Sequence, residues 1–136
     1  MARSEELEVT LAVTGLLESL EVPYLVGGSV ASSLLGVPRA TLDVDLVADL
    51  RGEHVAPLVS RLSADFYVDE GSVRDAVRRR ACFNVIHLAT MLNVDLFVMP
   101  DDPLTASEMA RRQRFPLPGA PPAELVVATA EDIVLQ

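Results

Sequence analysis

The sequence predicts a single α/β domain in which a mixed β-sheet is flanked by helices. Its 136 residues match one ordinary domain, so we assign residues 1–136 to one unit. Half of the residues (50%) are hydrophobic and only 4% are aromatic, which indicates a core of aliphatic side chains. Segments with the helical spacing of apolar residues alternate with short apolar strands, a pattern typical of α/β proteins.

Charge and composition exclude several classes of protein. The high apolar fraction, with only 23% charged residues, excludes global disorder. No apolar run approaches the roughly 20 residues that span a bilayer, so we expect no membrane partner. The 11 basic residues, all arginine, are outnumbered by 20 acidic residues, and the net charge of −9 disfavours non-specific nucleic-acid binding. The single cysteine excludes an internal disulfide, and without a signal-peptide pattern we expect a cytoplasmic protein.

The first half of the chain is predicted to contain three helices and two strands. From Ser4 to Leu20, leucines recur near helical spacing, and three glutamates occupy the first turn, where they suit the positive end of a helix. Pro23 ends this helix. The elements predicted next are a strand at Tyr24–Val26, a helix at Ser29–Leu35, a strand at Leu42–Val47 and a helix at Glu53–Leu62.

The second half is predicted to continue the alternation and to include a β-hairpin. The predicted elements are a strand at Phe66–Val68, a helix at Ser72–Arg80, hairpin strands at Phe83–Leu88 and Val94–Val98, a helix at Thr105–Arg112 and a strand at Leu125–Val127. Prolines from Pro116 to Pro122 predict a loop. Thr129 and Asp132 form a helix-start signal, and we expect that helix to continue beyond Gln136. Cys82 is expected to pack as a small hydrophobic residue.

Two aspartates lie in one apolar strand. Because side chains alternate along a strand, Asp43 and Asp45 are expected on one face and Val44 and Leu46 on the other. Two carboxylates on one face repel each other and are costly to desolvate. A divalent cation removes both problems, and hard oxygen ligands suit Mg²⁺. The alternative interpretation is an edge strand whose polar face meets water.

A third aspartate repeats this pattern further along the chain. Asp95 is the lone carboxylate inside the apolar strand Val94–Val98. Placed beside Asp43 and Asp45, it would complete a site able to hold two metal ions for in-line displacement at phosphorus. By itself, the pattern also fits a solvated aspartate near the start of a strand.

Candidate phosphate-binding residues flank the aspartate pair on its N-terminal side. Gly27 and Gly28 follow a strand and precede a predicted helix, where a backbone can approach a phosphate closely, and Ser29 adds a hydroxyl. The same residues also fit a tight strand-to-helix turn. Arg39, in the loop before Asp43, is a candidate phosphate or acceptor contact or an ordinary surface arginine, and Thr41 is a weaker candidate of the same kind.

In order and spacing, these motifs resemble the polymerase-β-type nucleotidyltransferase superfamily. The resemblance covers residues 24–98 and is closest to small prokaryotic proteins, the AbiEii-type toxins and minimal nucleotidyltransferases. It implies the nucleotidyltransferase fold and transfer of a nucleoside monophosphate from an NTP such as ATP to an acceptor hydroxyl on tRNA, protein or a small molecule. It also implies Mg²⁺ or Mn²⁺ as cofactor. The implied roles are metal binding for Asp43 and Asp45, metal binding or acceptor activation for Asp95, and triphosphate binding for Gly27, Gly28 and Ser29.

Two departures from the family pattern leave an alternative function open. Toxin members usually carry a lysine-bearing motif, whereas this chain contains no lysine, and the C-terminal helical region that often shapes the acceptor site is expected to be missing after Gln136. The alternative is a catalytically degenerate module that binds nucleotide or protein, such as one member of a toxin–antitoxin pair with an antitoxin-type partner. Two arginine clusters, at residues 78–80 and 111–114, fit contacts to RNA or to an acidic partner, or solvated helix surfaces.

Overall fold

The computed structural model describes residues 5–26, 43–100, 103–111, 113–116 and 123–127, which form one α/β domain with a mixed sheet. Its helices are α1 (Glu5–Ser19), α2 (Gly52–Leu62), α3 (Glu70–Arg79) and α4 (Pro103–Ala110). Its strands are β1 (Tyr24–Val26), β2 (Asp43–Ala48), β3 (Phe66–Tyr67), β4 (Cys82–His87), β5 (Asn93–Val98), β6 (Gln113–Pro116) and β7 (Glu124–Val127). The predicted α/β class and the mixed sheet are therefore confirmed.

The seven described strands form one sheet in the order β3-β4-β5-β2-β1-β7-β6. The pairs β2–β5 and β1–β7 are parallel, and the other neighbouring pairs are antiparallel. The predicted hairpin is confirmed, because β4 and β5 pair antiparallel across a short connection. The β2–β5 pair lies near the middle of the sheet and carries the candidate site.

One face of the sheet is covered by helices and forms the main hydrophobic core. Along β2 and β5, Val44, Leu46, Val94 and Leu96 are completely buried. They share one cluster with apolar residues of the first three helices, which are Val9, Val13 and Leu17 in α1, Val55, Leu58 and Leu62 in α2, and Val73 and Ala76 in α3. Because side chains alternate along a strand, the intervening residues of β2 and β5 project from the opposite face.

That opposite face is covered at one end by α4. Met109 of this helix forms a small separate cluster with Leu25 of β1, and Val47 and Met99 pack against it. The part of this face that is formed by β4, β5 and the first half of β2 keeps its polar side chains half-buried or exposed. We call it the open face. No described helix combines the length and the hydropathy needed to cross a membrane.

The ends of α3 show how local capping sets helix boundaries. The helix begins at Glu70 rather than at the predicted Ser72, because the carboxylate of Asp69 accepts the backbone N–H of Ser72 at 3.0 Å and so caps the first turn. It ends at Arg79, one residue before the predicted end, because Arg80 adopts left-handed φ and ψ angles of 54° and 49°.

Two sequence predictions are wrong. Pro116 was expected in a loop, but it ends β6, which pairs antiparallel with β7. A proline is tolerated there because β6 is an edge strand, which needs ladder hydrogen bonds on one side only. Cys82 was expected to pack inside, but it is exposed, because the alternation of β4 directs its neighbour Phe83 into the core. The predicted helices at 29–35 and from 129 onward lie outside the described residues.

Candidate functional site

The candidate site is built by the register of two neighbouring parallel strands. Asp45 of β2 lies opposite Asp95 of β5, and Asp43 lies opposite Asn93. Neighbouring strands are about 4.8 Å apart, so the backbones that carry Asp45 and Asp95 are in direct contact. Both aspartates are half-buried and belong to the open face, whereas the surroundings of the Asp43 side chain lie outside the described part of the structure.

A chain of amide hydrogen bonds ends on the Asp95 carboxylate. Asn84 Nδ2 of β4 donates to Asn93 Oδ1 at 2.8 Å, and Asn93 Nδ2 donates to Asp95 Oδ1 at 2.9 Å. Asn93 accepts from Asn84 through its oxygen and donates to Asp95 through its nitrogen, so its amide group links β4 to one oxygen of the Asp95 carboxylate. We refer to Asp45, Asn84, Asn93 and Asp95 together as the polar strip.

The pKa values of two neighbouring groups reveal the negative potential of the polar strip. Burial raises the pKa of Glu6 in α1, and the charge of Asp45 raises it further. Partial burial of the Cys82 sulfur in β4 likewise raises the pKa of this thiol, although the residue as a whole is exposed, and the charge of Asp95 adds to that effect. Both shifts have the sign expected for a like charge nearby, which disfavours a second anion. The polar strip is therefore a place where positive charge is favoured.

The donor set of the polar strip fits a divalent cation. Like charges directly opposite each other on paired strands are destabilising, and a cation between Asp45 and Asp95 would reverse that effect. Carboxylate and amide oxygens are the hard ligands that Mg²⁺ and Mn²⁺ accept. Among the side chains that the structure describes, which do not include that of Asp43, no group of three histidine, cysteine, aspartate or glutamate residues is arranged to hold a metal ion.

The candidate nucleotide-binding residues Gly27, Gly28, Ser29, Arg39 and Thr41 lie outside the described residues. The structure does describe the end of strand β1, which directly precedes Gly27 in the sequence. Strand β1 ends at Val26, which pairs with Leu46, the residue next to Asp45.

Sequence reasoning missed three polar residues close to the aspartates. Asn84 and Asn93 alternate with the buried residues Phe83, Val85 and Val94, which is the same two-residue period that identified the aspartates. This signal could therefore have found them. Glu6 carried no such signal, because its proximity to Asp45 depends on how α1 packs on the sheet.

The arginine clusters are distributed over several ion pairs. Arg78 and Arg79 both pair with Asp75, at 2.5 and 3.2 Å, on the exposed surface of α3. Arg114 pairs with Glu18 of α1 at 3.6 Å. These pairs favour solvated surface arginines over a dedicated RNA contact, although Arg114 lies in strand β6 rather than in a helix. Arg112 lies outside the described residues.

Comparison with protein families and with curated proteins found no relative of this chain. No protein-family model matches this chain, and no curated protein matches it either. The functional argument therefore rests on the polar strip.

Proposed function

We propose that this protein is a metal-dependent nucleotidyltransferase, which transfers a nucleoside monophosphate from an NTP to an acceptor hydroxyl. The observation that carries the proposal is the parallel register of β2 and β5, which pairs Asp45 with Asp95 and Asp43 with Asn93. Two aspartates directly opposite each other, with a third aspartate two residues away in β2, are difficult to explain by stability, because like charges at opposed positions of paired strands are destabilising. They are well suited to holding cations beside a triphosphate.

In this proposal the three aspartates and Asn93 have separate roles. Asp43 and Asp45 would hold the cation, and Asp95 would share it or accept a proton from the acceptor. Asn93 would orient Asp95 through its hydrogen bond of 2.9 Å. A bound Mg²⁺ or Mn²⁺ would supply positive charge at the α-phosphate and at the leaving group.

The proposed reaction is a single displacement at phosphorus. The acceptor oxygen forms a bond to the α-phosphorus, while the bond from that phosphorus to the oxygen bridging the α- and β-phosphates breaks. Pyrophosphate leaves with the electron pair of that bond, and the acceptor carries the nucleoside monophosphate. The hydroxyl proton passes to the carboxylate of Asp95, which acts as general base.

The proposal extends to the nucleotidyltransferase fold. It is supported by the mixed sheet, by the carboxylate-bearing parallel pair β2–β5 and by the antiparallel pairing of β1 with β2. Because Val26 pairs with Leu46, strand β1 ends beside Asp45, and the sequence continues from Val26 into the segment Gly27–Ser29. In the proposed site this segment binds the triphosphate.

Transfer of label from each α-labelled NTP to tRNA, protein and small-molecule fractions of a cell extract tests the proposal. We expect Asp45→Asn and Asp95→Asn to lower transfer by about 10²–10⁴-fold, the usual contribution of such groups. Asp65→Asn is the matched control, because Asp65 is an exposed carboxylate in the turn after α2. If the parent chain binds NTP with Mg²⁺ but transfers no label to any fraction, the protein is a binding module and the enzymatic proposal is wrong.

A further inference from the structure

A second charged region lies where β2 leads into α2 and where α3 ends. It is a cavity of about 270 Å³ lined by the arginines Arg51, Arg74, Arg78 and Arg80, with Leu50 and Val55 among its apolar walls. A strand advances about 3.3 Å per residue, so Leu50 lies roughly 15 Å along the chain direction from Asp45. The cavity is therefore separate from the polar strip.

Positive charge is in excess around this arginine cavity. Three of its arginines have carboxylate partners: Arg51 pairs with Asp49, Arg74 with Glu70, and Arg78 with Asp75. Asp75 is shared with a fifth arginine, Arg79. Arg80 donates to the backbone carbonyl of Met99 at 3.0 Å, and among the described residues it has no carboxylate partner. The four arginines that line the cavity thus have three carboxylate partners, in a chain whose net charge is −9.

The existing ion pairs are weak enough to be replaced by a ligand. The side chains of Arg51, Arg74 and Arg78 are 54%, 55% and 72% exposed. Exposed pairs of this kind add little to stability because water screens them. A phosphate group can accept bidentate, charge-assisted hydrogen bonds from the same guanidinium groups, and these bonds are stronger than the exposed ion pairs.

The backbone of Arg80 gives an independent reason to connect this cavity with binding. Its φ of 54° and ψ of 49° place it in the left-handed region, where glycine is the usual residue at the end of a helix. The N–H of Ala81 donates to Ala76 O at 2.9 Å, which completes a cap that glycine would form with less strain. An arginine at this position lines the cavity, but its left-handed backbone conformation is less favourable than it would be for glycine. Backbone strain of this kind is concentrated at functional sites.

We propose that the arginine cavity binds the diphosphate group of a compact polyanion, either free pyrophosphate or a nucleotide. Its size suits a few phosphate groups rather than a nucleic-acid strand, and the net charge of −9 opposes the approach of a long polyanion. Gly52, the first residue of the 11-residue helix α2, also lines the cavity, so the positive end of this helix adds to the attraction. Binding by guanidinium groups needs no metal ion, in contrast to the polar strip.

Titration calorimetry of the full chain in EDTA, with sodium pyrophosphate and with ATP, tests this inference. We expect Arg80→Gly and Arg74→Gln to weaken binding at least tenfold each. Arg61→Gln is the matched control, because Arg61 is an exposed arginine of α2 that bonds Ser19 outside the cavity. Glycine suits the left-handed backbone, so Arg80→Gly is expected to keep its melting temperature, and Arg74→Gln provides a second variant at a regular helical position.

Each outcome decides the inference. If pyrophosphate and ATP bind with similar affinity and both need the arginines, the cavity recognises the diphosphate group itself. If only ATP binds in this arginine-dependent way, the ligand is a nucleotide. Absence of binding in EDTA, equal affinities of parent and Arg80→Gly, or an equal loss in Arg61→Gln would overturn it. Tighter binding of a single-stranded RNA without terminal phosphates would also overturn it, in favour of a nucleic-acid contact. None of these results depends on transferase activity.

Discussion

The two faces of the β2–β5 pair differ in what their side chains do. On the helix-covered face, Val44, Leu46, Val94 and Leu96 are completely buried and hold the domain together. On the open face, the residues between them form the polar strip, in which carboxylates stand opposite each other. The first face holds the domain together, whereas the second face carries the opposed aspartates to which we assign cation binding. This comparison is the basis of our proposal that the open face is a binding surface.

The largest effect is expected from a matched pair of truncations in β5. Leu96→Ala removes a fully buried side chain and is expected to lower the free energy of unfolding by about 2–5 kcal/mol. Phe97→Ala removes a larger side chain that is 43% exposed on the open face, and it should cost about 1 kcal/mol or less. Denaturant unfolding measures both. Equal losses would show that the two faces do not differ in the way we describe.

A smaller effect is expected from pH on the helix-covered side. Burial, together with the Glu18 carboxylate that accepts the Tyr24 hydroxyl at 3.0 Å, raises the pKa of Tyr24 to about 12. The unfolded chain ionises tyrosine near its usual pKa of about 10. The stabilisation is therefore complete below about pH 10 and is lost as the pH rises towards 12, by about 1–2 kcal/mol. Unfolding measured from pH 9 to 12 should show this loss in the parent, and a loss of equal size in Tyr24→Phe would rule out Tyr24 as its origin.

The smallest expected effect is on the alkylation rate of the Cys82 thiol, which lies on the open face. The negative charge of Asp95 contributes to the raised pKa of Cys82. Asp95→Asn should therefore increase the thiolate fraction and speed alkylation by iodoacetamide a few-fold in EDTA at about pH 8. Asp65→Asn should leave the rate unchanged, since Asp65 lies in the turn after α2. An unchanged rate in Asp95→Asn would mean that the carboxylate does not act on this thiol.

The strands β2, β4 and β5 were predictable because they carry a two-residue period of buried and more exposed side chains. That period placed Asp43, Asp45 and Asp95 on outward positions, and it contains the same information for Asn84 and Asn93. The alternation of side chains along β4 also places Cys82 on the exposed side once Phe83 is recognised as a core residue.

Other features depend on contacts between distant segments, which local patterns do not contain. The edge position of β6, which makes Pro116 acceptable within a strand, follows from the strand order. The proximity of Glu6 to Asp45 follows from the packing of α1. The arginine cavity combines the start of α2 with the last turns of α3 and the left-handed Arg80, so its four arginines are spread over residues 51–80 of the sequence.

The central claim is that the polar strip is a cation site, and a thermal melt in EDTA or MgCl₂ tests it most directly. Saturating Mg²⁺ should stabilise the parent by mass action, by about 2.7 kcal/mol when its concentration is 100-fold above Kd. The double variant Asp45→Asn/Asp95→Asn should show no such shift, and its stability in EDTA should equal or exceed that of the parent, because the repulsion between the opposed carboxylates is gone. Asp65→Asn should retain the full shift. An equal Mg²⁺ shift in the parent and in the double variant would contradict the account.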